Sequence, residues 1–214
     1  MASEILSIHP DNPEIRKIKK VADALSSGAV IIYPTDTGFT LGCQLLNKDA
    51  IQKVRKIRGM NPGKVLTFLC RSLANIANFA KVSNHAYRTI KGLIPGPYTF
   101  ILPASKNVPR FAQNPKRNEA GIRVPDNILS QLLLKELNEP ILSISAKIPD
   151  SDEFHDYDEI MSYYKNLVDI AVVSDKYEFH GASTIINMTK DDFHIVRHGA
   201  GIGKVLEFID VDED

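Results

Sequence analysis

The sequence has only two cysteines, Cys43 and Cys70, in 214 residues. That is too few for a disulfide framework, and both read as reduced core or site-lining thiols. Net charge is also missing: 26 basic residues balance 26 acidic ones, so bulk electrostatics neither selects nor rejects a polyanionic partner. No stretch approaches the roughly 18 to 20 uninterrupted apolar residues of a membrane span, and the first residues lack the charged start and apolar run of a signal peptide. A cytoplasmic protein without membrane contact is the expectation. The six histidines and two cysteines show no zinc-ligand spacing, and no Ser, His, Asp order accompanies a nucleophile elbow. His194 and His198 read as surface residues near a strand end, and no permanently bound metal is expected. The segment Gly59, Met60, Asn61, Pro62, Gly63, Lys64, Val65 is not a phosphate loop: its glycines stand too close together, its proline lacks an N–H, and neither Ser nor Thr follows the lysine. The sequon Asn187, Met188, Thr189 reads as accidental within a strand.

With 43% hydrophobic and 24% charged residues, the chain can bury a core of ordinary size, and its length points to one domain. We draw that domain over 1–209, followed by an acidic tail at 210–214. Basic residues cluster in Lys53 to Lys64 and in Lys106 to Arg123, whereas Asp150 to Asp158 and the tail are acidic. Such runs fit either a basic concave face or solvated helix faces.

Helical and extended patterns alternate without a low-complexity linker or internal repeat. Asn12, Pro13, Glu14 reads as a helix start, with the helix running to about Ser26 before Gly28 stops it. Ala29 to Tyr33 follows as a buried strand. Asn47 caps a second helix in which Ile51, Val54 and Ile57 keep helical periodicity and Gly59 takes the terminating position. Leu66 to Cys70 is another buried strand. Further helices are expected at Leu73 to Ala80, Asn84 to Leu93, Asn127 to Leu137 and Asp156 to Lys165. Strands are expected at Thr99 to Leu102, Gly121 to Val124, Ile141 to Ser145, Ile170 to Ser174, Ser183 to Met188 and His194 to Arg197. Early helices alternate with buried strands and late strands come in succession, which predicts an α/β fold with a large mixed sheet flanked by helices.

Several segments carry candidate chemistry. Tyr33 to Gly42 packs hydroxyls and two glycines after a buried strand; it is either a strand exit presenting N–H groups and Thr side chains to a small polar ligand, or a plain turn. Lys56 and Arg58 at a helix end either reach anionic groups or complement the helix dipole. Thr99, Ser143, Ser145, Ser183 and Thr184 lie at strand ends. Arg123 and Arg197 interrupt apolar runs, so each needs either a carboxylate partner or a ligand, because an unpaired buried cation is costly.

The order of these motifs resembles the YrdC/YciO family over nearly the whole chain. Tyr33 to Gly42 is similar to its P-T-[DE]-T-x-[YF]-x-L signature, Lys56, Ile57, Arg58 to its K-x-R, and Pro95, Gly96, Pro97, Tyr98, Thr99 to P-G-P-x-T. Gly121 to Pro125 follows as G-x-R-x-P, and Ser145, Ala146, Lys147 stands where S-A-N is usual. Gly181 to Thr184 matches G-x-S-T, and Val196 to Gly199 the closing arginine motif. The resemblance implies an open, twisted mixed parallel/antiparallel sheet with a large concave cavity. It also implies a reaction of threonine, bicarbonate and ATP, with Mg²⁺ accompanying the nucleotide, that yields threonylcarbamoyl-adenylate for tRNA threonylcarbamoyladenosine formation. Lys56 and Arg58 would then be catalytic. Thr35, Thr37, Arg123 and Ser183 would hold threonine, with Arg123 on its carboxylate. The nucleotide would meet Lys56, Arg58, Thr99, Ser143, Ser145, Lys147 and Arg197.

Two departures look closest to the YciO branch. Lys147 replaces an amide that both donates and accepts with a cation that only donates. Phe39 and Thr40 replace the usual tyrosine and glycine, which we read as removing one hydroxyl from the ligand pocket and adding another beside it. A non-catalytic protein of the same fold that binds tRNA or double-stranded RNA is the alternative, and an enzyme adenylating another small amine or carboxylate is a third reading. Oligomeric state is left open by the sequence.

Overall fold

The computed structural model describes residues 3–60, 66–112, 117–148 and 156–209. The acidic tail and residues 61–65 of the Gly59 to Val65 loop, Lys64 among them, lie outside them. The chain runs β1 (Glu4–Ser7), α1 (Ile15–Ser26), β2 (Ile31–Thr35), β3 (Gly38–Gln44), α2 (Lys48–Ile57), β4 (Thr67–Leu69), α3 (Leu73–Phe79) and α4 (Asn84–Leu93). It continues through β5 (Tyr98–Pro103), β6 (Glu119–Arg123), α5 (Ile128–Leu137), β7 (Ile141–Ser145), α6 (Tyr157–Tyr164), β8 (Ile170–Val173), β9 (Thr184–Asn187), β10 (His194–Arg197) and α7 (Ile202–Val205).

Side-chain caps set most helix starts. Asn47 Oδ1 accepts from the Ala50 N–H at 2.9 Å, Asn127 Oδ1 does the same for Ser130, and Asp156 with Glu159 forms a capping box. Gly59, at φ +60°, follows α2 in the left-handed conformation that L side chains avoid. The first helix differs from expectation: it starts at Ile15, and neither Asn12 nor Glu14 caps it through a side chain. The Glu14 carboxylate instead turns back to accept from the His9 N–H at 3.1 Å, while the His9 ring nitrogen accepts from the Asp11 and Asn12 N–H groups.

All named strands join one sheet in the order β1-β8-β2-β3-β7-β4-β6-β5-β9-β10. Pairs β1/β8, β2/β8, β4/β6 and β5/β9 are parallel; β2/β3, β3/β7, β4/β7, β5/β6 and β9/β10 are antiparallel. The expected mixed sheet is therefore the one observed. Of the elements named above, β1, α7 and β3 escaped the sequence reading, as did a short 3-10 turn at Arg110–Ala112. Glycines and threonines in β3 hide its alternation, in which Phe39, Leu41 and Cys43 face one side and Thr40 and Gly42 the other. Pro34 is tolerated in β2 because β8 pairs with that strand only at Ile31 and Ile32.

The two sheet faces are covered unequally. On one face α2, α3, α4, α6 and α7 bury a large core around Ile32, Leu41, Phe68, Phe100, Ile122 and Ile186. On the other, α1 and α5 press Ile18, Val21, Leu25, Leu129 and Leu133 onto Ile31, Tyr33, Leu69 and Ile141. Those two helices reach only to β7 and the end of β4, and leave that face of the strands beyond bare. No helix among the described residues is long and apolar enough to cross a membrane.

Cys43 and Cys70 are both buried free thiols, and burial pushes each up to about 12. The thiolate is the reactive species, so at pH 8 the folded protein is expected to resist a thiol-specific reagent, whereas denatured protein titrates both groups at once. Rapid modification of the native chain would show that the sheet opens locally around β3 or β4.

Candidate functional site

The uncovered part of the sheet floors a cavity of about 220 Å³ lined by Thr40, Thr67, Leu69, Thr99, Arg123, Ser143, Ile144, Ser145, Ser183, Ile185 and Arg197. Strand register puts all of these except Ile144 on one face. Thr40 stands opposite Ser145, Thr67 opposite both Ser143 and Gly121, Leu69 opposite Arg123 and Arg197 opposite Ile185. Gly121 keeps the floor open, since a Cβ there would lie 3.7 Å from both Thr67 Oγ1 and Thr99 Cγ2. Six hydroxyls and two guanidinium groups thus converge, with no carboxylate in the lining among the described residues.

Arg123, at the end of β6, is 5% exposed, and its partner Asp36 is 2% exposed. Its Nη2 donates to Asp36 Oδ1 and its Nη1 to Thr37 Oγ1, while Nε donates to the Gly96 carbonyl at 3.3 Å. Burial lowers the Arg123 pKa, and the Asp36 charge opposes that shift. Of the two alternatives open for this arginine, the ion pair is realised. Three of its five donors are occupied, leaving one each on Nη1 and Nη2. Asp36 Oδ2 is buried without a hydrogen-bond partner among the described residues.

Asp36 and Thr37 form the two-residue turn between β2 and β3, which pair as far as Thr35 and Gly38. Thr35 Oγ1 donates to the Gly38 carbonyl at 2.8 Å and accepts from the Thr37 N–H at 3.2 Å. Thr35 is consequently spent inside its own turn, and Thr37 on Arg123; neither lines the cavity. The segment is both a turn and part of the site, because the turn holds the arginine that faces the cavity.

The second guanidinium is fixed from β10. Arg197 Nε and Nη2 donate to the Ser183 carbonyl at 2.9 and 2.7 Å, and Nη2 also reaches Ser183 Oγ at 2.9 Å. Ser183 Oγ lies 3.0 Å from Thr99 Oγ1, so Thr99, Ser183 and Arg197 act as one network. Close backbone approach makes this possible: a Cβ on Gly199 would sit 2.3 Å from the Ala182 carbonyl oxygen. Partial burial, and then the like charge of Arg123, lower the Arg197 pKa. Two cations share the cavity with one buried counter-carboxylate.

Of the residues chosen from sequence, the lining includes Thr99, Arg123, Ser143, Ser145, Ser183 and Arg197. Lys56 and Lys147 are exposed and outside it. Arg58 reaches the edge, where its Nε donates to the Ser145 carbonyl at 3.1 Å. That carbonyl also accepts from the Lys147 N–H at 3.0 Å, and the Lys147 carbonyl accepts from the Tyr164 hydroxyl. Within the basic cluster Lys53 is paired with Asp169 at 2.6 Å.

Phe39 requires a correction. It lies on the opposite face of β3 and packs against Tyr177, Phe179 and Tyr157 with ring centroids 4.9, 5.3 and 5.5 Å away, so its missing hydroxyl is not lost from the cavity. Thr40 does line it. Asp36, Thr67 and Tyr33, whose hydroxyl lies 2.9 Å from Ser143 Oγ, were missed as individual contributors. Period-two alternation from Thr67 through Phe68 to Leu69 was the available signal for the second of them.

The Sua5_yciO_yrdC family model, described as "Telomere recombination", matches residues 23–199. The uncharacterized protein YciO of Escherichia coli (strain K12) is 39% identical over 201 residues, 93% of this chain and 97% of that protein. Its crystal structure shares the fold with a TM-score of 0.85 at 36% identity, covering 95% of this chain and all of that one. A threonylcarbamoyl-AMP synthase of Hydrogenovibrio crunogenus is 34% identical over 146 residues, 66% of this chain and 77% of that protein. The fold is also that of P. abyssi Sua5 complexed with L-threonine, with a TM-score of 0.86, 23% identity, and coverage of 97% of this chain and 62% of that one.

Removing one partner of a buried ion pair leaves an uncompensated charge, typically a loss of about 3–5 kcal/mol. Asp36→Ala is therefore expected to destabilise the protein by about that amount in urea denaturation at neutral pH. A loss below about 1 kcal/mol would mean that water reaches Arg123.

Proposed function

The chain belongs to the Sua5_yciO_yrdC family, and from that premise we propose that its cavity takes ATP, threonine and bicarbonate and forms threonylcarbamoyl-adenylate. One observation carries this reading: two immobilised guanidinium groups and six hydroxyls face one cavity in which, among the described residues, only Asp36 offsets the positive charge. That arrangement suits ligands bearing several anionic oxygens. A named relative, the Hydrogenovibrio crunogenus protein, is a threonylcarbamoyl-AMP synthase.

In the proposed reaction the amine nitrogen of threonine bonds to the carbon of bicarbonate, and water leaves. A carbamate oxygen then bonds to the α-phosphorus of ATP while the bond to the departing pyrophosphate breaks. The protein's part is positioning and charge neutralisation. The two free donors of Arg123 offer a fork to a carboxylate, and the Nη1 donors of Arg197 remain for a phosphate. Thr99 and Ser183 are already tied to Arg197 through Ser183, so ligand contacts there meet a rigid network. A magnesium ion would be held mainly by the phosphates it arrives with, as is usual for that ion. Arg58 sits at the mouth, beside Ser145.

A second reading, a non-catalytic protein that binds tRNA or double-stranded RNA, is favoured by the exposure of Lys56 and Lys147 outside the cavity. Phosphate-backbone contacts by such cations weaken steeply with salt.

Purified protein with ATP and Mg²⁺ is expected to release pyrophosphate only when threonine and bicarbonate are both present. Arg197→Ala should lower that rate about a hundredfold, on the scale of losing one charge-stabilising donor. Lys147→Asn should change it far less, because the side chain lies outside the cavity. Absence of release, together with salt-sensitive RNA binding lost in Lys56→Ala and Lys147→Ala, would replace the first reading with the second.

A further inference from the structure

Tyr33 is fully buried on β2, with its ring passing over Gly42 of β3. A Cβ on Gly42 would come within 2.8 Å of Tyr33 Cε1 and 2.9 Å of Ile141 Cγ2, so the glycine supplies the slot through which the ring reaches β7. At the far end the hydroxyl stands 2.9 Å from Ser143 Oγ. Ser143 is 2% exposed and lines the cavity.

The direction of this hydrogen bond follows from what surrounds it. Burial holds the Tyr33 hydroxyl well above its ordinary pKa, with only partial opposition from the hydrogen bond to Ser143 and the charge of Arg123. The phenol therefore keeps its proton. Ser143 Oγ is the partner found for that hydroxyl among the described residues. Were Ser143 the donor, the phenolic proton would be buried without an acceptor, which is the more costly arrangement. With Tyr33 donating, the serine proton has the Ile141 carbonyl at 3.4 Å, near the long limit of a hydrogen bond, or a group in the cavity.

We infer that Tyr33 is a positioning residue that donates to Ser143 Oγ and so leaves the serine proton free for an anionic oxygen in the cavity. Tyr33 touches no ligand itself. That the oxygen belongs to a nucleotide phosphate rests on the function proposed above.

Isothermal titration of wild type, Tyr33→Phe, Ser143→Ala and the double variant with Mg²⁺-ATP and with inorganic pyrophosphate tests the inference. Thermal melts check that each variant is folded. Ser143→Ala is expected to weaken binding about tenfold and Tyr33→Phe about threefold, the scale of one hydrogen bond gained or misdirected. In the Ser143→Ala background Tyr33→Phe should change nothing further. Equal losses in both backgrounds would make Tyr33 a packing residue and overturn the inference. A second variant, 3-fluorotyrosine at position 33, is a stronger donor: tighter binding supports the assigned direction and weaker binding overturns it. Coupling seen with pyrophosphate but no ATP binding would reject the nucleotide reading and keep the positioning role. ATP binding without coupling would do the reverse, and binding of neither ligand would reject both.

Discussion

The Arg123–Asp36 ion pair is the constraint around which the rest of the site is arranged. A guanidinium in the middle of a ten-strand sheet cannot remain uncompensated. Its three hydrogen-bonded nitrogens bring together three segments distant in sequence: the β2–β3 turn through Asp36 and Thr37, the Pro95–Pro97 turn through the Gly96 carbonyl, and β6 itself. A fourth segment joins because the His180 N–H donates to the Asp36 carbonyl at 2.8 Å. The connection from β8 to β9 is held over the hairpin tip by that bond and by Tyr177 and Phe179 against Phe39. It delivers Ser183 to the cavity beside Arg197. One buried charge thus fixes the relative placement of both arginines.

Unequal coverage of the sheet explains why a cavity exists here. Five helices fill one face, but on the other α1 and α5 extend only as far as β7 and the end of β4. Where that face of a strand is left open it must carry polar residues at alternate positions, which is what Thr40 and Ser143 at the open ends of β3 and β7, and Thr67, Thr99 and Arg197 beyond them, are. Their facing partners, Leu41, Phe68, Phe100 and Leu142, are fully buried in the large core. The same strands serve as core on one side and as binding surface on the other. This rigid backing suits a site whose chemistry depends on position and charge rather than on a nucleophile.

The family departures look different once placed in three dimensions. Phe39 belongs to an aromatic cluster behind the sheet, where a phenol would have to find a partner. Thr40 adds a hydroxyl at the cavity wall. Lys147 exposes its side chain at the end of β7, so the change from an amide to a cation alters the rim and not the floor.

Much of the architecture was determined by the sequence itself. Caps at Asn47, Asn127 and Asp156, the left-handed Gly59 and the apolar runs of β7 and β10 are local features, and local sterics and hydrogen bonding decide them wherever the chain goes. The motif order also identified most of the polar residues that meet in the cavity. Tertiary structure alone decided which cations face it: Lys56, Lys147 and Arg197 were all expected on the nucleotide, and of the three Arg197 lines the cavity while Lys56 and Lys147 stay exposed outside it. It also decided that Thr35 closes its own turn, that β3 is a strand with one polar face, and that Asp36 is the carboxylate Arg123 needs. The reason is physical: a side chain's partner is set by strand register and by which face the helices leave open. Those contacts join residues far apart in the chain, 110 positions for Tyr33 and Ser143, and no local pattern encodes them.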